Sequence, residues 1–380
     1  MKIESKLPEV GVTIFTVMSK LANDYGAINL SQGFPDFDVA ADLIDRVAHY
    51  MKSGYNQYAP MQGVPALRQK IAEKTQDLYQ ASYDPETEIT VTSGATEALY
   101  AAITSVVKND DEVIIFEPAY DAYAPAVRLN GGIAKFIQLS FPDYRIDWNR
   151  VKDSLSAKTR LIVLNSPHNP SGSVLDKTDM KALRDLICRT EALILSDEVY
   201  EHIIFDGRVH ESVARYPELA SRSFIVSSFG KTYHTTGWKI GYCLAPKALT
   251  REFQRVHQFL TFASNTPVQM AYADILDHKD LYSNLAAFYQ RKRDLFLSLT
   301  ADSRFKPVPS RGTYFQLMQY GAISRESDVA FSKRITIDHG VATIPVSVFY
   351  HDRIDHNVVR FCFAKKDDTL AEAAGKLCRI

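Results

Sequence analysis

Between about Glu88 and Pro246, short apolar runs alternate with amphipathic stretches, and few architectures satisfy that alternation. Short runs rich in Val, Ile and Leu read as strands covered on both faces, and the intervening stretches read as helices. Together they predict βαβ units around a mostly parallel sheet, an α/β fold. The expected strands are Ile89–Ser93, Glu112–Phe116, Ala134–Leu139, Arg160–Asn165, Leu193–Asp197, Ser223–Ser227 and Lys239–Leu244. Helices are expected at Thr96–Val107, at Asp179–Cys188 and from Leu249 toward Phe262.

A chain of 380 residues exceeds what one core usually serves, so two lobes are expected. Helical spacing over Val268–His278 and Asp280–Leu299 precedes strand-like Thr313–Met318 and Val358–Phe363, with a helix around Asp328–Asp338 between them. That pattern predicts a smaller α+β domain over residues 271–380 beside a large domain of residues 31–270; residues 1–30, which the pattern alone does not place, are assigned to the smaller domain. A formal net charge of -1 gives no reason to expect nucleic acid or an anionic membrane as partner. No apolar run approaches the roughly 20 residues that span a bilayer, and Met1–Lys6 has no apolar stretch to act as an export signal. A cytoplasmic protein is therefore expected. Cys188, Cys243, Cys362 and Cys378 show no paired spacing and read as free, buried thiols, with no metal site implied.

Four segments concentrate residues with chemical capacity. Thr90-Val91-Thr92-Ser93-Gly94-Ala95-Thr96 runs from a strand into a helix, where glycine lets the backbone approach a ligand and free amides attract an anion. Ser227-Ser228-Phe229-Gly230-Lys231-Thr232 superficially suggests a nucleotide-binding loop. That loop needs a glycine where Ile225 stands, so the nucleotide reading fails. Lys231 instead sits among serines, aromatics and a second lysine, a setting that suits a desolvated amine able to form a Schiff base with an aldehyde. Ser228 and Lys239 could add a hydroxyl and a cation for a phosphate.

Leu193-Ile194-Leu195-Ser196 delivers Asp197 to the carboxyl end of a core strand, where open α/β sheets place their ligands. As an isolated residue Asp197 would be read as a helix cap; the functional alternative is an ion pair to a protonated pyridine nitrogen, with Tyr200 near the ring oxygen. Asn165-Ser166-Pro167-His168-Asn169-Pro170 forms a rigid loop at another strand end.

Gly94-Ala95-Thr96, Asn165-x-Pro-x-Asn169-Pro170, Asp197-x-x-Tyr200, Ser228-x-x-Lys231 and a late Arg360, in that order, resemble the class I/II aminotransferases of PLP fold type I. The resemblance runs from about Ile14 to the end. Asn29–Phe37, Asn56-Gln57-Tyr58 and Ser227–His234 look most like the kynurenine/glutamine transaminase and bacterial methionine aminotransferase branch.

That resemblance implies pyridoxal 5'-phosphate as cofactor, a seven-stranded large domain flanked by helices, and a homodimer with shared active sites. It implies that Lys231 carries the cofactor, Asp197 pairs with its ring nitrogen, and Tyr200 and Asn169 bond its ring oxygen. Tyr120 would stack on the ring, while Ala95, Thr96, Ser228 and Lys239 would hold the phosphate. Tyr58 would reach the phosphate from the other subunit. Arg360 would grip the substrate carboxylate, and Gly33 and Phe15 would line the pocket together with Asn169.

The implied reaction is ping-pong transfer from an amino acid to a 2-oxo acid, with Lys231 as the base at Cα. Aspartate-specific relatives carry a second arginine before the segment that here reads Ser264-Asn265-Thr266-Pro267. Phe259–Ala263 has no cation, so neutral substrates of methionine, aromatic or glutamine type are expected. A C–S β-lyase on the same fold would use the same residues and stands as the alternative. A non-catalytic regulator would need a basic DNA-binding segment, and a zinc hydrolase would need a histidine where Ala214 follows His210-Glu211.

Overall fold

The computed structural model describes residues 3–380; Met1 and Lys2, which begin the stretch read above for an export signal and the smaller domain, lie outside it. A seven-stranded sheet runs in the order Ile89–Thr92, Gly241–Leu244, Ser223–Ser228, Leu193–Asp197, Thr159–Asn165, Glu112–Glu117, Ile133–Gln138. Every pairing is parallel except those of Gly241–Leu244, which is antiparallel to both neighbours. All seven expected strands are present. The last is shorter than expected because Lys239 adopts a left-handed backbone (φ 56°) and pairing starts only at Gly241.

Side-chain alternation explains why these strands are apolar throughout. Ile114, Ile162, Ile194 and Ile225 face one core, while Val113, Ile115, Leu161, Val163, Leu195, Phe224 and Val226 face a second on the other side. Helix Ala95–Val106 presents Ala98, Ala101 and Ala102 to the second core, and these small residues let it lie close to the sheet.

A four-stranded antiparallel sheet orders Ile344–Pro345, Val358–Cys362, Phe315–Gln319 and Lys306–Pro307. Ile28–Asn29 pairs in parallel with Val341–Ala342, which ties the segment leading to Ser31 to the C-terminal part of the chain. Helix Asp328–His339 lies between the strands as expected, but the helix expected over Asp280–Leu299 is interrupted: Asp280–Ser283 and Leu285–Leu299 are separated at Asn284. Three helices in the N-terminal region, Ile14–Asp24, Ala41–Lys52 and Pro65–Tyr79, had not been assigned from the sequence. All four thiols are free, yet only Cys243 and Cys362 are buried. Cys188, at the end of helix Lys177–Ile187, is exposed, and Cys378 is half-buried, contrary to the expectation of burial.

Behind the strand that leads to Lys231 lies a sealed polar network. Lys74 Nζ donates to Glu201 Oε1 at 2.7 Å and to Tyr242 Oη at 2.9 Å; Tyr79 and Ser227 donate to Glu201 as well. The carboxylate holds the lysine charged far above its ordinary range, and the lysine draws the buried Glu201 carboxyl below its own. Each charge tolerates burial only because the other is present.

Candidate active site

Parallel register sets the strand ends level. Asn165 lies opposite Asp197 and Asp197 opposite Val226, so the Asn165 loop, Asp197 and Ser228 open at one edge of the sheet. Helix Ala95–Val106 begins beside them after Gly94, whose φ of 79° a side chain would strain. A Cβ on Gly94 would lie 3.4 Å from Lys239 Nζ, so the absence of a side chain keeps the helix N-terminus and this cation next to each other.

These elements enclose a cavity of about 150 Å³. The structure brings Ala95, Thr96, Tyr120, Asn169, Asp197, Tyr200, Ser228, Lys231 and Lys239 onto its walls. Thr96 Oγ1 and Tyr120 Oη are 3.4 Å apart at its rim. At one end, backbone amides of a helix start, hydroxyls and the Lys239 ammonium suit a phosphate. Beside them, Asp197 is a buried acceptor suited to a protonated ring nitrogen, and Lys231 supplies a half-buried amine.

Burial dominates the electrostatics. It pushes Asp197 up to about 6, although Tyr123 Oη donates to Oδ2 at 2.6 Å and the Val199 amide to Oδ1 at 3.3 Å. It lowers Lys231 to about 8, and the nearby Lys239 and Arg360 charges act in the same direction. Lys231 Nζ donates to Tyr314 Oη at 3.0 Å and lies 3.5 Å from the Gly33 carbonyl.

Arg360 is 1% exposed and stands on the strand Val358–Cys362. Its Nη1 donates to Asn169 Oδ1 at 2.8 Å and its Nη2 to the Ser31 carbonyl at 3.0 Å; Nε has no hydrogen-bond partner among the described residues. The guanidinium lies 3.9 Å over the Phe315 ring and 5.3 Å from that of Phe15. An unpaired buried N–H beside such a flat cation fits a carboxylate. Gly33 approaches so closely that a Cβ there would come within 2.8 Å of Phe315. Tyr58 is not brought to the cavity of its own chain: it is 85% exposed and meets Phe262 edge-on at 5.6 Å.

Two side chains were missed from the sequence. Tyr123 holds Asp197, and Tyr314 holds Lys231. Tyr123 opens the helix Tyr123–Leu129, and its ring meets that of Tyr120 edge-on at 5.6 Å. His210 Nε2, in the His210-Glu211 pair, meets Glu198 Oε2 at 2.7 Å.

Residues 25–377 match the family model for aminotransferase class I and II. The chain belongs to that family. This aminotransferase is 52% identical to the methionine aminotransferase of Escherichia coli K12, over 99% of its own length and 98% of the relative's. It is 32% identical to human kynurenine–oxoglutarate transaminase 3, covering 95% of this chain and 86% of the human one. The solved structure of E. coli YbdL, for which a methionine aminotransferase function was identified, superposes on the aminotransferase with a TM-score of 0.98 at 52% identity over the whole of both chains. N-succinyldiaminopimelate aminotransferase of Mycobacterium tuberculosis gives 0.95 at 35% identity, again over both whole chains. The aminotransferase therefore has PLP fold type I.

Proposed function

We propose that this aminotransferase holds pyridoxal 5'-phosphate in its cavity and moves the amino group of a neutral L-amino acid, of methionine, aromatic or glutamine type, to a 2-oxo acid by a ping-pong course. The observation that carries the reading is the pairing of a half-buried amine, Lys231, with a buried carboxylate, Asp197, in one cavity that a helix N-terminus beside Lys239 also lines. When bound, the cofactor supplies an aldehyde that captures amines and a protonated ring that takes up the electron pair released at the substrate Cα.

The chain's residues supply the rest. Ala95, Thr96, Ser228 and Lys239 would hold the phosphate; Asp197 would pair with the ring nitrogen, Tyr200 and Asn169 would bond the ring oxygen, and Tyr120 would cover the ring. The Lys231 amine, lowered to about 8, is neutral often enough near pH 7 to take the Cα proton and return it. Arg360 fixes the substrate carboxylate and with it the Cα–H bond. Phe15, Phe315 and Phe349, all within 5.7 Å of the Arg360 guanidinium, give its surroundings an apolar character. They favour neutral side chains over aspartate, in line with the methionine and kynurenine on which two of the relatives above act by name.

The assembly is a homodimer in which Tyr58 completes the partner's phosphate site. Its support is the exposure of Tyr58, Phe259 and Phe262, large aromatics seldom left in water together. Light scattering that gave a monomer would remove this part.

The test of the whole is the visible absorption of the purified protein, followed as methionine or aspartate is added without a 2-oxo acid. Methionine is expected to abolish the visible band of the bound aldehyde and aspartate to leave it largely intact. Release of ammonia and pyruvate from cystathionine or a cysteine conjugate over many turnovers would instead indicate a β-lyase. No visible band at all would overturn the cofactor assignment.

A further inference from the structure

We infer that Tyr314 is a positioning residue that docks the free ε-amine of Lys231, backed by the carbonyl of Gly33. The inference rests on the proposed function, in which Lys231 alternates between carrying the cofactor and standing free as a base.

A free lysine inside a cavity creates a problem of placement. Its four-carbon stem has many rotamers, and an amine that wanders is a poor base, since proton transfer needs donor and acceptor within hydrogen-bond reach. The structure supplies a fixed station. Lys231 Nζ donates to Tyr314 Oη at 3.0 Å, and Tyr314 Oη donates to the Gly33 carbonyl at 2.5 Å, so amine, hydroxyl and carbonyl form one chain. Nζ also lies 3.5 Å from that carbonyl.

Tyr314 is itself immobile. It is fully buried, packs edge-on against Tyr200 at 5.2 Å and Phe315 at 4.8 Å, and meets Tyr289 at 5.7 Å. Its backbone accepts from the Phe363 amide at 3.0 Å. The station therefore belongs to the framework and does not move with the amine.

Gly33 links the station to substrate binding. Two residues earlier in the same loop, the Ser31 carbonyl accepts from Arg360 Nη2 at 3.0 Å. One short segment thus anchors both the amine that moves the proton and the guanidinium proposed to hold the substrate carboxylate. A base and a carboxylate clamp referenced to one loop keep a constant separation, which a proton transfer at Cα requires.

The groups that act electrostatically on Lys231 are Asp197, Lys239, Arg360 and Cys362; Tyr200 and Tyr314 lie against it. All six remain in a Tyr314→Phe variant except the one hydroxyl. That hydroxyl accepts a bond from the charged amine, so its loss disfavours the ammonium and lowers the amine's pKa. Hydrogen bonds to charged groups are strong enough for a shift of about one unit.

The experiment uses enzyme loaded with pyridoxamine 5'-phosphate, in which Lys231 is free. Labelling of Lys231 by formaldehyde with a borane reductant is followed by mass spectrometry across pH. In Tyr314→Phe the labelling midpoint is expected to fall by about one unit, making labelling at neutral pH several-fold faster. The single-turnover rate with methionine is expected to fall about tenfold with KM little changed, and a Cα-deuterium isotope effect to grow. Tyr289→Phe is the matched control: its buried hydroxyl has no hydrogen-bond partner among the described residues, so the Lys231 midpoint is expected to stay put. Tyr314→Leu repeats the measurement if the phenylalanine variant does not fold.

An unchanged midpoint in a folded Tyr314 variant overturns the docking role and leaves the function standing. Failure of the wild-type protein to bind either form of the cofactor overturns both.

Discussion

Lys231→Ala is expected to lower the single-turnover rate with methionine about ten-thousand-fold, the upper range for loss of a positioned proton-transfer group. The substitution removes the amine and nothing that supports the sheet. Lys231 lies in a single turn, Phe229–Thr232, whose buried contacts are made by its neighbours Phe229, Gly230 and Thr232. The variant should therefore fold, retain the phosphate contacts and still bind the cofactor, but without the absorption of the lysine-linked form. A small primary amine diffusing into the vacated space should recover part of the rate, more for methylamine than for bulkier amines, because the cavity is only about 150 Å³. Rapid-quench measurement decides it: a variant retaining a tenth of the normal rate would place the base elsewhere.

Asp197→Asn is expected to cost a hundredfold to a thousandfold in the same rate, within the roughly 2–5 kcal/mol lost when one partner of a buried charge pair is truncated. The near-identical shape isolates charge as the cause, and the amide can still accept from Tyr123. A pH signature accompanies the loss. Burial raises Asp197 to about 6, so below that pH the carboxyl holds a proton that it must release to pair with a protonated ring. Cofactor affinity of the wild-type enzyme should consequently fall about tenfold per pH unit below 6, the limiting slope for one proton. In Asp197→Asn that acid limb should vanish. Equilibrium dialysis at pH 5 and pH 7 checks the difference, and equal slopes in both proteins would detach the effect from Asp197.

The parts of the fold that could be read from the sequence share a physical cause. Strands such as Leu193–Asp197 and Ser223–Ser228 are buried on both faces, so their composition is nearly forced and their positions can be found within a residue or two. Helix Pro65–Tyr79 was not found because it contributes to the buried network as well as the apolar core; Arg68, Lys74 and Thr75 are buried on it and blur the apolar stripe. The break at Asn284 is similarly invisible, since both flanking pieces keep helical spacing.

The site divides along the same line. Residues fixed by short-range pattern, such as Gly94, Asp197 and Lys231, were legible. Tyr314 and Ser31 act through contacts across more than 80 and 300 positions of chain, and no local pattern announces such contacts. Tyr58 is a further kind of case. Its proposed role lies in a partner's site, so neither local pattern nor the packing of a single chain can place it.

The sealed pair of Lys74 and Glu201 bears on how variants of this enzyme should be interpreted. Glu201 directly contacts Ser227, four residues before the amine, yet neither member of the pair lines the cavity. A library selected for turnover alone would score changes at Lys74, Tyr79, Glu201 or Tyr242 as catalytic, because losing one partner of a buried pair loosens the strand that delivers Lys231. Measured beside a melting curve, the same variants would sort as foundation failures. An engineer who wishes to alter substrate choice should accordingly leave that layer untouched and vary the aromatic rings around Arg360.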